Sequence, residues 1–251
     1  MNAPHGLLLV VPCYNEAIRF SQEYWSQIIE QLPEVHFLFV DDGSTDDTLN
    51  VLSGITHFPN VKIHNSSINV GKGEAIRKGV LLYRNEYNLF GYVDCDESLP
   101  TQTLLSSIRF MSKAVAHEPK RFMVIGSRVK LYGNKIERKV HRHLIGRIIT
   151  SILGHFWKDI PYDTQCGLKV FRFKPLSLLD ESFKTRWFFD IELMMRAQKF
   201  YLKESFLLEV PLTNWRDMGG SKLTYKSAPI VLKEIWTICK IIYHQNTSTK
   251  R

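Results

Sequence analysis

Short apolar segments that alternate with helical segments constrain the fold of this chain more than any other feature. The apolar segments are rich in β-branched or aromatic residues and comprise residues 7–11, 36–40, 61–64, 92–93 with the run before them, and 123–125. Between them, periodicity or composition predicts helices over residues 18–32, 46–53, 71–85 and 99–116. Such alternation predicts an α/β domain with a mainly parallel sheet covered by helices on both faces.

The size and composition of the chain fit a domain of this class. Its 251 residues include 44% hydrophobic and 12% aromatic side chains, which is enough for a sizeable core. No run approaches the roughly 20 apolar residues that span a bilayer, and residues 7–11 are too short for a signal peptide and lack its basic leader. The four cysteines are scattered singly, as is typical of reduced thiols. We therefore expect a cytoplasmic protein.

Polar clusters follow four of the predicted strands. They are Tyr14-Asn15-Glu16, Asp41-Asp42-Gly43-Ser44, Asp94-Cys95-Asp96 and Gly126-Ser127-Arg128. Because ligands bind at the carboxyl ends of parallel strands, these clusters indicate a ligand site along one edge of the sheet. Neither the GxGxxG nor the Walker pattern is present, so a dinucleotide site or a P-loop is disfavoured.

Asp94 and Asp96 predict a site for a divalent cation. Residues two apart on a strand project to the same face, so slight unwinding at the end of the strand lets both carboxylates reach one ion. Mg²⁺ or Mn²⁺ held by one or two carboxylates completes its coordination with water and substrate phosphates, which makes a nucleotide diphosphate the natural ligand. An isolated Asp-x-Asp also caps turns, but its position among the other clusters favours the metal.

The ordered set of motifs resembles family 2 glycosyltransferases of the GT-A fold over residues 7–223. The matching segments are residues 11–16, 40–44, 69–73, 94–96 and 126–128. Later segments, residues 163–169, 189–193 and 219–223, look like the polyprenyl-phosphate hexosyltransferase branch, notably dolichyl-phosphate glucosyl- and mannosyltransferases. The resemblance implies a Rossmann-like GT-A catalytic domain over residues 1–225. A C-terminal acceptor-side helix and a polar tail would follow over residues 226–251.

The resemblance also implies which residues bind a nucleotide-sugar donor. Those expected at the nucleoside are Pro12, Tyr14, Glu16 and Asp42. Lys72, Arg216 and Lys222 are expected to bind the donor as well, the last two by closing over its phosphates. Asp94 and Asp96 would bind the donor through Mg²⁺ or Mn²⁺, a Lewis acid that stabilises the leaving diphosphate.

Positive charge is concentrated between residues 128 and 147, which include seven basic residues and one acid. By the resemblance, Arg128, Arg138 and Arg142 grip the acceptor's phosphate, and Arg128 joins Asp96 among the catalytic residues. Over residues 138–157 the apolar side chains form a helical stripe with the basic ones off it. A core-packed helix and an interfacial helix beside anionic lipid both fit this pattern. Nucleic acid is disfavoured because no aromatic platform is interleaved with the charges.

Two roles are open for Asp190, which we also count as catalytic. In relatives with hydroxyl acceptors, an acid at this position is the base that deprotonates the nucleophile. A phosphate acceptor is already anionic at pH 7, so Asp190 would then orient sugar hydroxyls or basic neighbours. A merely structural acid at a helix N-terminus is the alternative.

We therefore predict an inverting, metal-dependent transferase. It would move a hexose from a donor of the UDP-Glc or GDP-Man type to a polyprenyl phosphate at the cytosolic membrane face. Peripheral membrane contact or a membrane-protein partner would accompany this activity. The apolar segment of residues 230–243 is too short to span a bilayer and is compatible with either one. The alternative is a transferase of the same fold that acts on an acceptor hydroxyl with Asp190 as base.

Overall fold

The computed structural model describes residues 5–157, 160–172, 176–198, 200–201, 206–219 and 228–248 of the chain. Its strands are β1 His5–Cys13, β2 Val35–Asp42, β3 Val61–Ser66, β4 Tyr87–Val93, β5 Met123–Ser127, β6 Lys135–Glu137, β7 Leu168–Arg172, β8 Leu207–Pro211 and β9 Asn214–Arg216. Seven of them form one sheet in the order β3-β2-β1-β4-β7-β5-β8, and β6 pairs with β9 in a separate ribbon.

Within the large sheet, β7 runs antiparallel to β4 and β5, and the other neighbours pair in parallel. The predicted mainly parallel sheet is therefore confirmed. All five strands expected from the sequence are present, each with somewhat wider bounds. The strands β7 and β8 are additional, since their five-residue segments contain charged residues and show no clear apolar run.

The helices are α1 Gln22–Gln31, α2 Thr48–Ser53, α3 Lys72–Leu82, α4 Thr101–His117, α5 Val140–Phe156, α6 Phe189–Ala197 and α7 Ala228–Ser248. Helix α1 begins four residues later than its periodicity predicts. The backbone N–H groups of Arg19 and Phe20 donate to the carbonyl of Glu16 in a turn, and Ser21 then caps the helix by accepting from the N–H of Tyr24. The polar residues after β1 therefore lie in a turn, outside the helix.

Helices cover both faces of the large sheet, as the alternation predicts. On one face, α1 and α4 contribute buried residues such as Trp25 and Ile108 to a core with Phe37 and Phe39 of β2. On the other face lies a second core that includes residues of α3, α5, α6 and α7. Burial of both sheet faces at about 25 cal/mol per Å² of apolar surface is the main force that fixes the positions of the strand ends.

Helix α7 packs on the same core as the helices before it. Ile238 and Ile242 are buried, and the carboxylate of Glu234 accepts backbone N–H groups of Trp187 at 2.8 Å and Phe188 at 3.3 Å. Glu234 thereby anchors the segment immediately before α6 from another helix. Across the described ranges, we find no helix with the length and hydropathy needed to cross a membrane.

Candidate active site

The loops that follow β1 and β2 are joined by hydrogen bonds. Asn15 adopts a left-handed backbone conformation with φ 53°, which asparagine tolerates well. Its N–H donates to Ser44 Oγ at 2.9 Å, and its Oδ1 accepts from the N–H of Thr45 at 2.9 Å. The N–H of Glu16 donates to Thr48 Oγ1 at 2.7 Å. These bonds bring together the two segments that the sequence predicts to line a nucleoside.

The predicted nucleoside residues differ in what their side chains contact. Pro12 and Tyr14 are half-buried at the end of β1, and the buried carboxylate of Glu16 pairs with Arg19. Asp42 is buried too, and its two oxygens accept the backbone N–H groups that begin the loop before α3. These bonds are to Val70 at 2.9 Å and to Gly71 at 2.8 Å. Asp42 therefore anchors this loop, and a contact with the nucleoside stays a prediction.

Asp94 lies where three elements meet. Lys72, the first residue of α3, donates from Nζ to Asp94 Oδ1, and the backbone N–H of Asp94 donates to the carbonyl of Gly167 at 3.0 Å. A Cβ built on Gly167 would lie 2.0 Å from Asp94 Oδ2, so the carboxylate rests directly on the backbone before β7. Burial opposes the charge of Lys72, but the carboxylates of Asp94 and Asp190 outweigh it and raise the lysine's pKa.

Asp96 accepts the N–H of Ser98 at 3.1 Å through Oδ1. Burial raises the pKa of Asp96, and the negative charge of Asp94 raises it further. Two carboxylates whose charges oppose each other form a hard-oxygen donor set that a divalent cation would neutralise. Among the described residues, no group of three or more His, Cys, Asp or Glu side chains is arranged so that it could hold a metal ion. Asp94 and Asp96 would hold the divalent cation as a pair.

Arg216, predicted to bind donor phosphates, contacts the two residues that immediately follow the Asp94-Cys95-Asp96 segment. Its backbone N–H donates to the carbonyl of Ser98 at 2.9 Å, and its Nη2 donates to Glu97 Oε2 at 2.9 Å. The guanidinium is half-exposed and is therefore accessible to a ligand. Lys222, the other residue predicted to close over the phosphates, lies outside the described residues.

Arg128 forms an ion pair with Asp163, a residue for which the sequence predicted no role. Its Nε and Nη2 donate to the two carboxylate oxygens of Asp163 at 2.6 and 2.7 Å, and its backbone N–H donates to Asp163 Oδ2 at 3.0 Å. The guanidinium also lies 5.1 Å from the ring centroid of Trp215. Burial opposes the ionised form of Asp163, but Arg128 outweighs it and lowers the pKa of Asp163 to about 2.

The other residues predicted to bind the acceptor phosphate lie on both sides of the start of α5. Arg138 precedes the helix, and burial together with the nearby positive charge of Arg128 lowers its pKa. The negative charge of Asp163, which pairs with Arg128, partly offsets this lowering. Arg142 lies within α5, and its side chain is outside the described part of the structure. The structure thus brings together two of the three predicted arginines.

Asp190, on the first turn of α6, has a buried partner that sequence reasoning missed. Lys169 Nζ on β7 lies 2.8 Å from Asp190 Oδ1, and both side chains are buried. Burial raises the pKa of Asp190 and lowers that of Lys169, and the positive charge of Lys72 partly opposes the rise at Asp190. The sequence signal for a buried charge is the single lysine between the apolar residues Leu168 and Val170. The structure shows that its strand pairs with a neighbour on each side.

Comparison with known proteins identifies relatives along most of the chain. Residues 8–179 match the model of glycosyl transferase family 2. The chain is 30% identical over 242 residues to the dolichyl-phosphate beta-glucosyltransferase of Dictyostelium discoideum, covering 89% of this chain and 70% of that protein. A dolichyl-phosphate beta-glucosyltransferase of Trichomonas vaginalis is 31% identical over 229 residues, which cover 85% of this chain and 65% of that protein. The chain thus spans slightly less than two thirds of the length of this second relative.

Solved structures share the fold at low sequence identity. Glucosyl-3-phosphoglycerate synthase from Mycobacterium tuberculosis superposes with a TM-score of 0.67 at 15% identity, over 94% of this chain and 80% of that one. A mannosyltransferase from Pyrobaculum calidifontis, solved in complex with GDP-Man and Mn²⁺, gives 0.58 at 17% identity, over 91% of this chain and 61% of that one. These likenesses confirm the predicted GT-A architecture. The match of residues 8–179 to the family model shows that the chain belongs to glycosyl transferase family 2.

Proposed function

We propose that this chain transfers a hexose from a nucleotide sugar to a polyprenyl phosphate, with glucose as the preferred sugar. The observation that carries the proposal is the arrangement at the end of β4, where Lys72 pairs with Asp94 and Arg216 pairs with Glu97, the residue that follows Asp96. Cations next to a metal-binding pair of carboxylates suit a nucleotide diphosphate. The names of the relatives, dolichyl-phosphate beta-glucosyltransferases, support the sugar and the acceptor.

The proposed reaction is a single displacement. An oxygen of the acceptor phosphate attacks the anomeric carbon in line, the bond from that carbon to the diphosphate breaks, and the configuration inverts. Mg²⁺ or Mn²⁺ at Asp94 and Asp96 would supply Lewis acidity at the leaving diphosphate. Lys72 and Arg216 stabilise the negative charge that grows on the same group. The acceptor is anionic at pH 7, so no side chain has to remove a proton from it.

The exposed side of α5 supports an acceptor that resides in a membrane. From the sequence, the apolar stripe of this helix fitted either a core or an interfacial role. In the structure most of the stripe is exposed. The exposed residues are Val140, Leu144, Ile145, Ile148, Ile152 and Phe156. Helix α5 carries no acidic residue, so its field suits anionic lipid. On the adjoining α7, Leu232 and Trp236 are exposed as well. We propose that these helices bind the protein peripherally to the cytosolic face of a membrane.

The test is an assay of purified protein with UDP-glucose, GDP-glucose or GDP-mannose, Mn²⁺ or Mg²⁺, and polyprenyl phosphate in vesicles. We expect nucleoside diphosphate and hexosyl lipid to form together, and Asp94→Asn to lower the rate at least 100-fold because half of the metal pair is lost. Asp180→Asn, at an exposed carboxylate far along the chain, is the matched control and should keep full activity.

Two outcomes would contradict the proposal. The first is that no donor yields hexosyl lipid while folded protein is present throughout. The second is lipid-independent transfer to a hydroxyl acceptor that Asp190→Asn abolishes, which would instead identify Asp190 as a general base.

A further inference from the structure

Lys169 is a fully buried lysine one layer beneath the proposed donor site. It lies on β7 opposite Tyr92 of β4, and its side chain is 0% exposed. Its Nζ donates to the carbonyl of Cys166 at 2.7 Å and lies 2.8 Å from Asp190 Oδ1. Because the burial of an ammonium group is strongly unfavourable without such partners, a lysine at this position requires both contacts.

The contact with Cys166 reaches the backbone that supports the metal pair. Cys166 immediately precedes Gly167, whose carbonyl accepts the N–H of Asp94 and whose Cα lies under the Asp94 carboxylate. A shift of the 165–167 turn therefore moves the surface on which Asp94 rests. Lys169 holds this turn from inside the fold without reaching the ligand.

The contact with Asp190 connects Lys169 to helix α6. Asp190 belongs to the first turn of α6, and its Oδ2 lies 3.5 Å from Nε2 of Gln165 in the turn. The ring centroid of Tyr92 lies 5.6 Å from Lys72 Nζ and 5.2 Å from Lys169 Nζ. The lysines of the pairs Lys72–Asp94 and Lys169–Asp190 thus both lie near one aromatic ring.

From this geometry we propose that Lys169 is a positioning residue for the metal and diphosphate site. Its ammonium fastens the 165–167 turn to α6 and thereby sets the position of the Asp94 carboxylate. The inference rests on the donor site of the proposed function and goes beyond it by assigning a role to a residue that touches no substrate. Asp190 then acts as the buried counter-ion of Lys169.

The experiment measures Mn²⁺-dependent binding of UDP and GDP by calorimetry, without an acceptor, in Lys169→Met and in the double variant Lys169→Met/Asp190→Asn. The single variant leaves the buried carboxylate of Asp190 without a partner and can therefore fail to fold. The double variant removes both buried charges, so we expect it to fold. We expect its affinity for nucleotide with Mn²⁺ to fall at least tenfold, while the affinity measured in EDTA changes less than twofold. Lys113→Met, at an exposed lysine of α4, is the control and should match wild type.

The results separate this role from simple charge neutralisation. If Lys169 only neutralised Asp190, the double variant would bind nucleotide with Mn²⁺ as wild type does, and that result overturns the proposal. Equal losses with and without Mn²⁺ would overturn it too, because they would indicate general damage to the fold. Failure of the lipid transfer assay would leave this result intact, since no acceptor is used here.

Discussion

Among single residues, Gly167 shows most directly how backbone supports chemistry in this protein. The space where its Cβ would lie is filled by the carboxylate of Asp94, at 2.0 Å. Any side chain here has to displace that carboxylate, the first of the two proposed metal ligands. The glycine is needed for the close approach of a neighbouring side chain.

Gly167→Ala should therefore impair the site more than the fold. We expect Mn²⁺-dependent nucleotide affinity to fall at least tenfold, because Asp94 moves, while the melting temperature drops by only a few degrees. Calorimetry and thermal melting check the two parts. Gly6→Ala, where a Cβ would contact nothing within 4 Å, is the matched control. Wild-type affinity in Gly167→Ala would contradict the prediction.

The Arg128–Asp163 pair makes a prediction about pH. The pKa of Asp163 is lowered to about 2 in the fold, below its usual value near 4, so ionised Asp163 stabilises the folded state above pH 4. This contribution, on the order of 2 kcal/mol, is lost as the pH falls from about 4 towards 2.

We expect Asp163→Asn to lower the free energy of unfolding by about 3 kcal/mol at pH 7, because it leaves Arg128 buried without its counter-ion. The difference in the free energy of unfolding between wild type and Asp163→Asn should become smaller below pH 4. Denaturant titrations at pH 7, 4 and 3 measure it. A gap that stays constant across this range would show that the ion pair does not supply the stability.

At the scale of elements, α5 combines a buried and an exposed apolar side. Leu153 is fully buried, whereas Ile145 and Ile148 are 56% and 60% exposed. A helix with apolar residues on so much of its surface needs a second apolar environment, and the basic residues around it suit an anionic bilayer. The loss of surface apolar groups should weaken membrane binding without weakening the core.

The double variant Ile145→Ser/Ile148→Ser should reduce co-sedimentation with phosphatidylglycerol-containing vesicles at least fivefold, because two apolar side chains leave the bilayer contact. Its melting temperature should stay within 2 °C of wild type, since both residues are exposed. Phe110→Ser, at a 52% exposed residue of α4, is the control for apolar surface elsewhere. Equal vesicle binding by the double variant and wild type would exclude this face as the membrane contact.

At the scale of the whole molecule, the donor site draws on elements that are distant in sequence. It takes Lys72 from α3, Asp94 from the end of β4, Gly167 from the turn before β7 and Arg216 from β9. A ligand that binds all of these elements stabilises the folded chain by mass action. The effect is about 2.7 kcal/mol when the ligand is at 100 times its dissociation constant.

Saturating UDP or GDP with Mn²⁺ should therefore raise the melting temperature of the intact chain by roughly 5 to 10 °C. Scanning fluorimetry measures the shift, with EDTA in a parallel series. Asp94→Asn should abolish the metal-dependent part, because the ion is held by that carboxylate. A shift of the same size in EDTA would contradict a metal-bound diphosphate.

Much of the fold and part of the site could be predicted from the chain itself. Strand and helix identities follow from local periodicity, and the clusters after β1, β2 and β4 are recognisable because the order of a parallel sheet places them at one edge. Asp94 and Asp96 were thus predictable as a pair. The strands β7 and β8 were not, because their five-residue segments contain charged residues and show no clear apolar run.

What the sequence by itself determined, then, is the α/β class, the glycosyltransferase motifs and the acidic pair at the end of β4. Only the tertiary structure decided that Arg128 is held by Asp163, that Asp42 anchors the loop before α3, and that Lys169 pairs with Asp190. It also decided that the stripe on α5 faces outward. The physical reason is that periodicity is set by neighbours along the chain, whereas partners and burial are set by contacts across it.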